Sequence, residues 1–138
     1  MALRRNAKVN LIREIPLFAH CSRAELAEVA SIADEVDVGA GKELIREGDQ
    51  GREFFILIEG SAEVRRRGRK VHTLKPGEFF GEIALISRSP RTATVTATSD
   101  SRLLVITPSA FRTLLEHSPR IQIRVLEALA DRLAPMAL

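Results

Sequence analysis

The chain has 138 residues, 45% hydrophobic and 28% charged, with a formal net charge of +3. This is one domain's worth of sequence with enough apolar content to bury a core, and it contains neither an apolar run near the ~20 residues of a membrane helix nor a signal-peptide stretch after its basic start, MALRRNAKVN. A single cysteine, Cys21, excludes an internal disulfide and fits a cytoplasmic setting.

In chain order the signals run helical, then β, then helical. A short helix is expected over about residues 8 to 14, before Pro16. Ser22 and Glu25 have capping-box spacing, and Leu26, Val29, Ala30 and Ala33 follow at helical intervals, predicting a helix over about 22 to 34. From 35 to 107 the pattern is β. Val36 and Val38 alternate with Asp37, and Leu44-Ile45 opens a short strand. The apolar run 54 to 58 suits a strand buried on both faces. Ala62-Glu63-Val64 turns at Gly68 and returns through Val71 to Leu74, and Lys75-Pro76-Gly77 is a strong turn. Residues 92 to 98 and 103 to 106 make the last strands. Many short strands at regular spacing argue a barrel or sandwich. Thr107-Pro108 and Ser118-Pro119 each read as a cap followed by proline at the first helical position. They open helices over 108 to 117 and 119 to 133, the second with Ile121, Val125, Leu129 and Leu133 four apart, and Pro135 stops it.

One segment interrupts the β pattern, and interruptions are where function is expected. Phe79 to Val95 reads FFGEIALISRSPRTATV. Gly81 lets backbone approach a ligand. Glu82 opens a short helical stretch to about residue 86, whose free N–H groups near Ile83 and Ala84 can face an anion. Arg91 offers a charged fork that fits phosphate, and Glu82, which only accepts hydrogen bonds when ionised, wants hydroxyls. A carboxylate for hydroxyls beside an arginine and bare amides for phosphate describes a sugar-phosphate site.

This segment resembles the phosphate-binding cassette of the cyclic nucleotide-binding domain family. The resemblance extends from about Ile15 to the C-terminus, through IPLF with Leu26 and Val29, through GDQGREFFILIEG over 48 to 60, and through GEFFGE over 77 to 82. It implies an α+β, mainly β fold: a β-roll, a jelly-roll-like antiparallel barrel, flanked by N- and C-terminal helices. It implies one domain over 1–138, helical to 34, β-roll with cassette over 35–107, and helices over 108–134. By resemblance, Arg91 pairs with the cyclic phosphate, Glu82 takes the ribose 2′-hydroxyl, and Gly81, Ile83 and Ala84 contribute backbone. Thr92 is either a plain strand residue or, as in domains that accept cGMP, a hydroxyl for the guanine amino group. Leu74 and Ile83 are candidates for packing on the purine, against a plain core role. Arg132 lies three residues after Leu129 and seven after Val125, on one helix face; it is the candidate lid over the purine, with Leu129 and Leu133 as fallbacks.

The implied function is a sensor or regulatory domain for cAMP, with cGMP as second candidate, whose C-terminal helix closes over the ligand. The alternative is an interaction domain of the same fold with an unoccupied pocket, which the presence of both Glu82 and Arg91 disfavours. Neither a catalytic motif nor metal-ligand spacing among His20, His72 and His117 is present, so no enzyme activity, metal or cofactor is expected. The basic cluster Arg65-Arg66-Arg67, Arg69 and Lys70 reads as a solvated hairpin tip rather than a nucleic-acid patch. The expected partners are a cyclic nucleotide and an effector domain or protein.

Overall fold

The computed structural model of the chain describes residues 5–81 and 89–136, leaving aside the side chains at 5, 132, 133 and 136. These residues gather into two compact units, a β unit, Ala33–Pro108, and a helical unit drawn from the chain up to Ile32 and from Ser109 onward.

The helical unit holds α1 (Arg5–Arg13), a 3-10 turn at Pro16–Phe18, α2 (Arg23–Ser31), α3 (Pro108–His117), α4 (Pro119–Leu133) and a second 3-10 turn, Ala134–Met136. Ser22 caps α2 as its spacing predicts: its hydroxyl accepts from the Glu25 N–H at 3.2 Å, and the Glu25 carboxylate accepts from the Ser22 N–H at 2.7 Å. This helix stops three residues short of the expected end, because Asp34 is already paired with Val105 in a strand. Ile12, Phe18, Leu26, Val29, Phe111 and Ile121 are almost fully buried, and Phe18 meets Phe111 edge-on at 6.2 Å. Ser118 accepts from the Ile121 N–H at the start of α4, with Pro119 in the first turn.

The β unit is two four-stranded antiparallel sheets. Its strands are β1 (Asp34–Val38), β2 (Glu43–Ile45), β3 (Phe54–Glu59), β4 (Ala62–Arg66), β5 (Arg69–Leu74), β6 (Phe79–Phe80), β7 (Thr94–Ala97) and β8 (Ser101–Ile106). One sheet has the order β1-β8-β3-β6 and the other β2-β7-β4-β5. The expected roll is therefore a pair of sheets that stay distinct rather than a closed barrel. Ile45, Phe55, Leu57, Ala62, Leu74, Phe80, Val95 and Leu103 form the core between them, where Phe55 stacks on its register partner Phe80 at 4.9 Å. Phe54 and Ile56, on the opposite face of β3, are buried too, so this strand is apolar on both faces as its sequence predicts.

Two turns position the site. β4 and β5 join through Arg67-Gly68, both at positive φ (53° and 79°), the geometry that matches the twist of a two-residue hairpin. Between β3 and β4 the chain leaves one sheet for the other at Gly60, whose φ is +97°. A Cβ there would sit 2.2 Å from the Ser101 hydroxyl and 2.6 Å from the Asp100 carbonyl oxygen, so only glycine fits.

Candidate functional site

Arg91 is the most buried charged group near the interrupted segment, its side chain only 6% exposed. Its neighbours come mostly from the main chain. Nη2 donates to the Glu53 carbonyl at 2.6 Å, and Nη1 reaches the Gly81 carbonyl at 3.5 Å. Its own backbone is clamped by the loop after β2: the Arg91 N–H donates to the Asp49 carbonyl and the Gly48 N–H to the Arg91 carbonyl, both at 2.8 Å. Gly81 is at φ +82°, and a Cβ on it would stand 2.9 Å from both Arg91 Nη1 and the Glu53 carbonyl. The chain can pass this close to the guanidinium only without a side chain.

The charge balance at Arg91 is incomplete. The Glu53 carboxylate is 3.7 Å from Nη2 and half exposed. Burial pushes the Arg91 pKa down, and Glu53 restores only part of it. Arginine stays charged regardless, so the site holds a desolvated cation with a distant, solvated counter-ion. Such a group gains most from a second anion, which also reaches a fork with donors to spare.

Arg91 opens onto a cavity of about 310 Å³, at the lower end of the range of small-ligand sites. Ile45, Val64, Leu74, Phe79, Phe80 and Val95 give it apolar walls, and Arg66, His72, Ser89 and Thr92 add polar groups. The Arg66 Nε donates to the Thr92 carbonyl at 3.2 Å. The hairpin tip is exposed, as its composition suggested, and Arg66 leans back and ties β4 to the segment after Arg91. His72 Nε2 lies 2.8 Å from Glu78 Oε2. That bond, above all, holds the Glu78 carboxyl below its ordinary range, with help from the Lys75 N–H.

Of the residues singled out from the sequence, Gly81, Arg91, Thr92 and Leu74 line this one cavity. Leu74 also belongs to the core between the sheets, so its two readings coincide in position. Glu82, Ile83 and Ala84 lie outside the described residues. Arg132 belongs to α4 in the helical unit, and its side chain is likewise outside them. Sequence reasoning missed Glu53, Arg66 and His72. Nothing local marks Glu53, because it contributes a carbonyl to a residue 38 positions away. Arg66 and His72 carried a usable signal, since residues 64, 66, 72 and 74 alternate onto one face of a hairpin.

Cys21 is half buried, which pushes its thiol up to about 11, and the neighbouring Glu25 carboxylate adds to the shift. It is therefore protonated near neutrality and a poor nucleophile. Among the described residues no cluster of His, Cys, Asp and Glu is placed to hold a metal ion, and no helix is long and apolar enough to cross a membrane.

Comparison with known proteins places this geometry. Residues 35–118 match the model of the cyclic nucleotide-binding domain family. The chain is 40% identical over 121 residues to a cAMP-dependent protein kinase regulatory subunit of Mycosarcoma maydis, covering 81% of this chain and 23% of that protein. The chain thus spans about a quarter of the length of that relative. Among solved structures it resembles the N-terminal domain of a transcriptional regulator from Streptomyces coelicolor, with a TM-score of 0.85 and 30% identity over 91% of this chain and 94% of that one. It also resembles cAMP-bound PfPKA-R, with a TM-score of 0.70 and 27% identity over 97% of this chain and 48% of that one.

Proposed function

Because the chain belongs to the cyclic nucleotide-binding domain family, we propose that its cavity takes cAMP, with cGMP as the weaker second ligand, and that occupancy regulates an effector rather than starting a reaction. The observation that carries this reading is the buried guanidinium of Arg91, under-compensated by Glu53 and open to a cavity of nucleotide scale. The cyclic phosphate, singly negative, supplies the missing charge, and desolvation makes that pairing strong. Gly81 keeps the backbone close enough for the same anion, and Leu74 provides apolar surface for the purine.

Three assignments rest on the family pattern. Glu82 takes the ribose 2′-hydroxyl, Ile83 and Ala84 offer backbone N–H groups to the phosphate, and Thr92 meets a guanine amino group when cGMP binds. The switch is α4, with Arg132 holding it over the base. Ligand can shift such a helix only by binding its closed position better than its open one. Support for a regulatory role, and for an effector domain or protein as partner, comes from the kind of relative the chain matches; a cytoplasmic setting rests on the single cysteine, Cys21.

Parallel calorimetric titrations with cAMP and cGMP test the reading. A dissociation constant of about 1 μM or better for cAMP is expected, equivalent to about −8 kcal/mol. No heat and no thermal shift at millimolar concentrations of either nucleotide would overturn it. Hydrogen exchange tests the switch separately: protection should rise on cAMP binding from Val125 to Leu133 and much less around Phe55, since chain ends open most easily when they lack contacts.

A further inference from the structure

The cavity has a second polar feature that phosphate binding does not use. Val64 and Arg66 on β4, and His72 and Leu74 on β5, line it from one face of the hairpin, with Val64 and His72 directly opposite in register. Across this sheet β7 is next to β4, and β5 lies beyond. Through Val64, His72 is level with Val95, two strands or on the order of 10 Å across the sheet, and Arg91 lies four residues before Val95. His72 and Arg91 thus stand at separate ends of one cavity lining.

His72 is held by a fixed partner. The Glu78 backbone N–H donates to the Lys75 carbonyl at 3.0 Å, and its carbonyl accepts from Leu57 N–H of β3 at 2.9 Å. Its Oε1 accepts from the Lys75 N–H at 3.0 Å, leaving Oε2 for the imidazole. An ionised carboxylate can only accept. Nε2 therefore carries a proton in either state of the ring, and Nδ1 is an acceptor when the ring is neutral. Nδ1 makes no hydrogen bond to the described residues. Arg66 and Arg91, the other nitrogen-bearing side chains of the described wall, can only donate. The Ser89 and Thr92 hydroxyls flank Arg91 in sequence, at the phosphate end.

We propose that His72, positioned by Glu78, is a specificity-determining residue of this cavity, and that in the neutral ring its Nδ1 accepts a hydrogen bond from the exocyclic amino group of adenine. The same atom repels the carbonyl that guanine carries at the corresponding position, so one ring nitrogen both favours cAMP and disfavours cGMP. This rests on the cyclic-nucleotide reading of the cavity. Glu78 is a positioning residue: it fixes the tautomer without touching ligand.

The test uses calorimetry on the unaltered chain and on His72→Leu and Glu78→Gln, with three probes: cAMP, cGMP and the cyclic phosphate of unsubstituted purine riboside, which has no exocyclic group. Both substituted side chains are substantially exposed, and thermal melts verify folding. Expected is a loss of about three- to ten-fold for cAMP in His72→Leu, the range set by one neutral hydrogen bond, with the unsubstituted probe unchanged and cGMP equal or tighter. Glu78→Gln, which frees the tautomer, should lower the cAMP-to-cGMP ratio while leaving the unsubstituted probe unchanged. Equal losses for all three probes would make His72 a plain wall and overturn the proposal, as would no loss for cAMP. Failure of all three to bind the unaltered chain would instead sink the reading of the cavity itself, and this inference with it.

Discussion

The two ends of the cavity are built in opposite ways. At Arg91 the polar bonds run to main chain: the guanidinium to the carbonyls of Glu53 and Gly81, and the Arg91 backbone to Gly48 and Asp49. Along the β4–β5 wall it is mostly a side chain that decides, with His72 about half exposed and resting on Glu78. Main-chain partners survive most substitutions and lose no rotamer freedom when a ligand arrives, so the first end is committed to one chemistry, an anion. Side-chain partners can be exchanged at little cost to the fold, so the second end is where preference among bases can vary.

The comparison is broken most severely at Arg91. Arg91→Ala should weaken cAMP binding by about 2–5 kcal/mol, at least thirty-fold, as expected when a buried charge loses its partner. It should also cost about 1–2 kcal/mol of stability, because two carbonyls lose a donor. Titration and urea melts on one preparation separate the two losses, and normal binding by this variant would remove Arg91 from the site. Gly81→Ala attacks the same end through the backbone. A left-handed alanine costs about 1–2 kcal/mol, and the methyl group forces Arg91 aside, so affinity should fall by roughly ten-fold. Unchanged affinity would show that the close approach of Gly81 to the guanidinium does not matter for the ligand.

A control lies in the helical unit. The Glu25 carboxyl is held below its ordinary value of 4.5, chiefly by the Ser22 N–H. A depressed folded-state value means stability is present above pH ~4.5 and lost as pH falls through the folded value. Glu25→Gln should flatten that acid limb, and Ser22→Ala should cost about 1 kcal/mol; both should leave nucleotide affinity unchanged, and a coupled loss of binding would show that the contrast between cavity ends is not local. Within the cavity the smallest effect is expected from Thr92→Ala, which should lower cGMP affinity alone and by less than about ten-fold. Equal losses for both nucleotides would show that the hydroxyl serves the phosphate or the scaffold.

What could be read in advance followed from local rules. The capping box at Ser22, the doubly apolar β3 and the proline-led starts of α3 and α4 are each written within a few residues. What could not be read depends on partners far along the chain. β6 is only Phe79–Phe80, too short to show a period, and exists because it pairs with Phe55 and Ile56. The α2 pattern continues through Ile32 and Ala33, but pairing of Asp34 with Val105 overrides it. Glu53 reads as an ordinary surface carboxylate, yet its carbonyl is what Arg91 holds. Arg66 reads as one of five basic residues at a turn until its bond to Thr92 sets it apart.

The sheet-to-sheet crossing at Gly60 has a metric consequence. Glu53, at the entrance to β3, fixes where the Arg91 guanidinium stands, while Val64 on β4 forms part of the wall opposite His72. Both belong to one uninterrupted run of chain whose single corner is Gly60-Ser61. The separation between the two ends is thus set along one stretch of chain, whose strands are held by the pairing of β3 with β8 and of β4 with β7. Shifting that corner by one residue would turn Val64 and Arg66 to the opposite face of the sheet, away from the cavity.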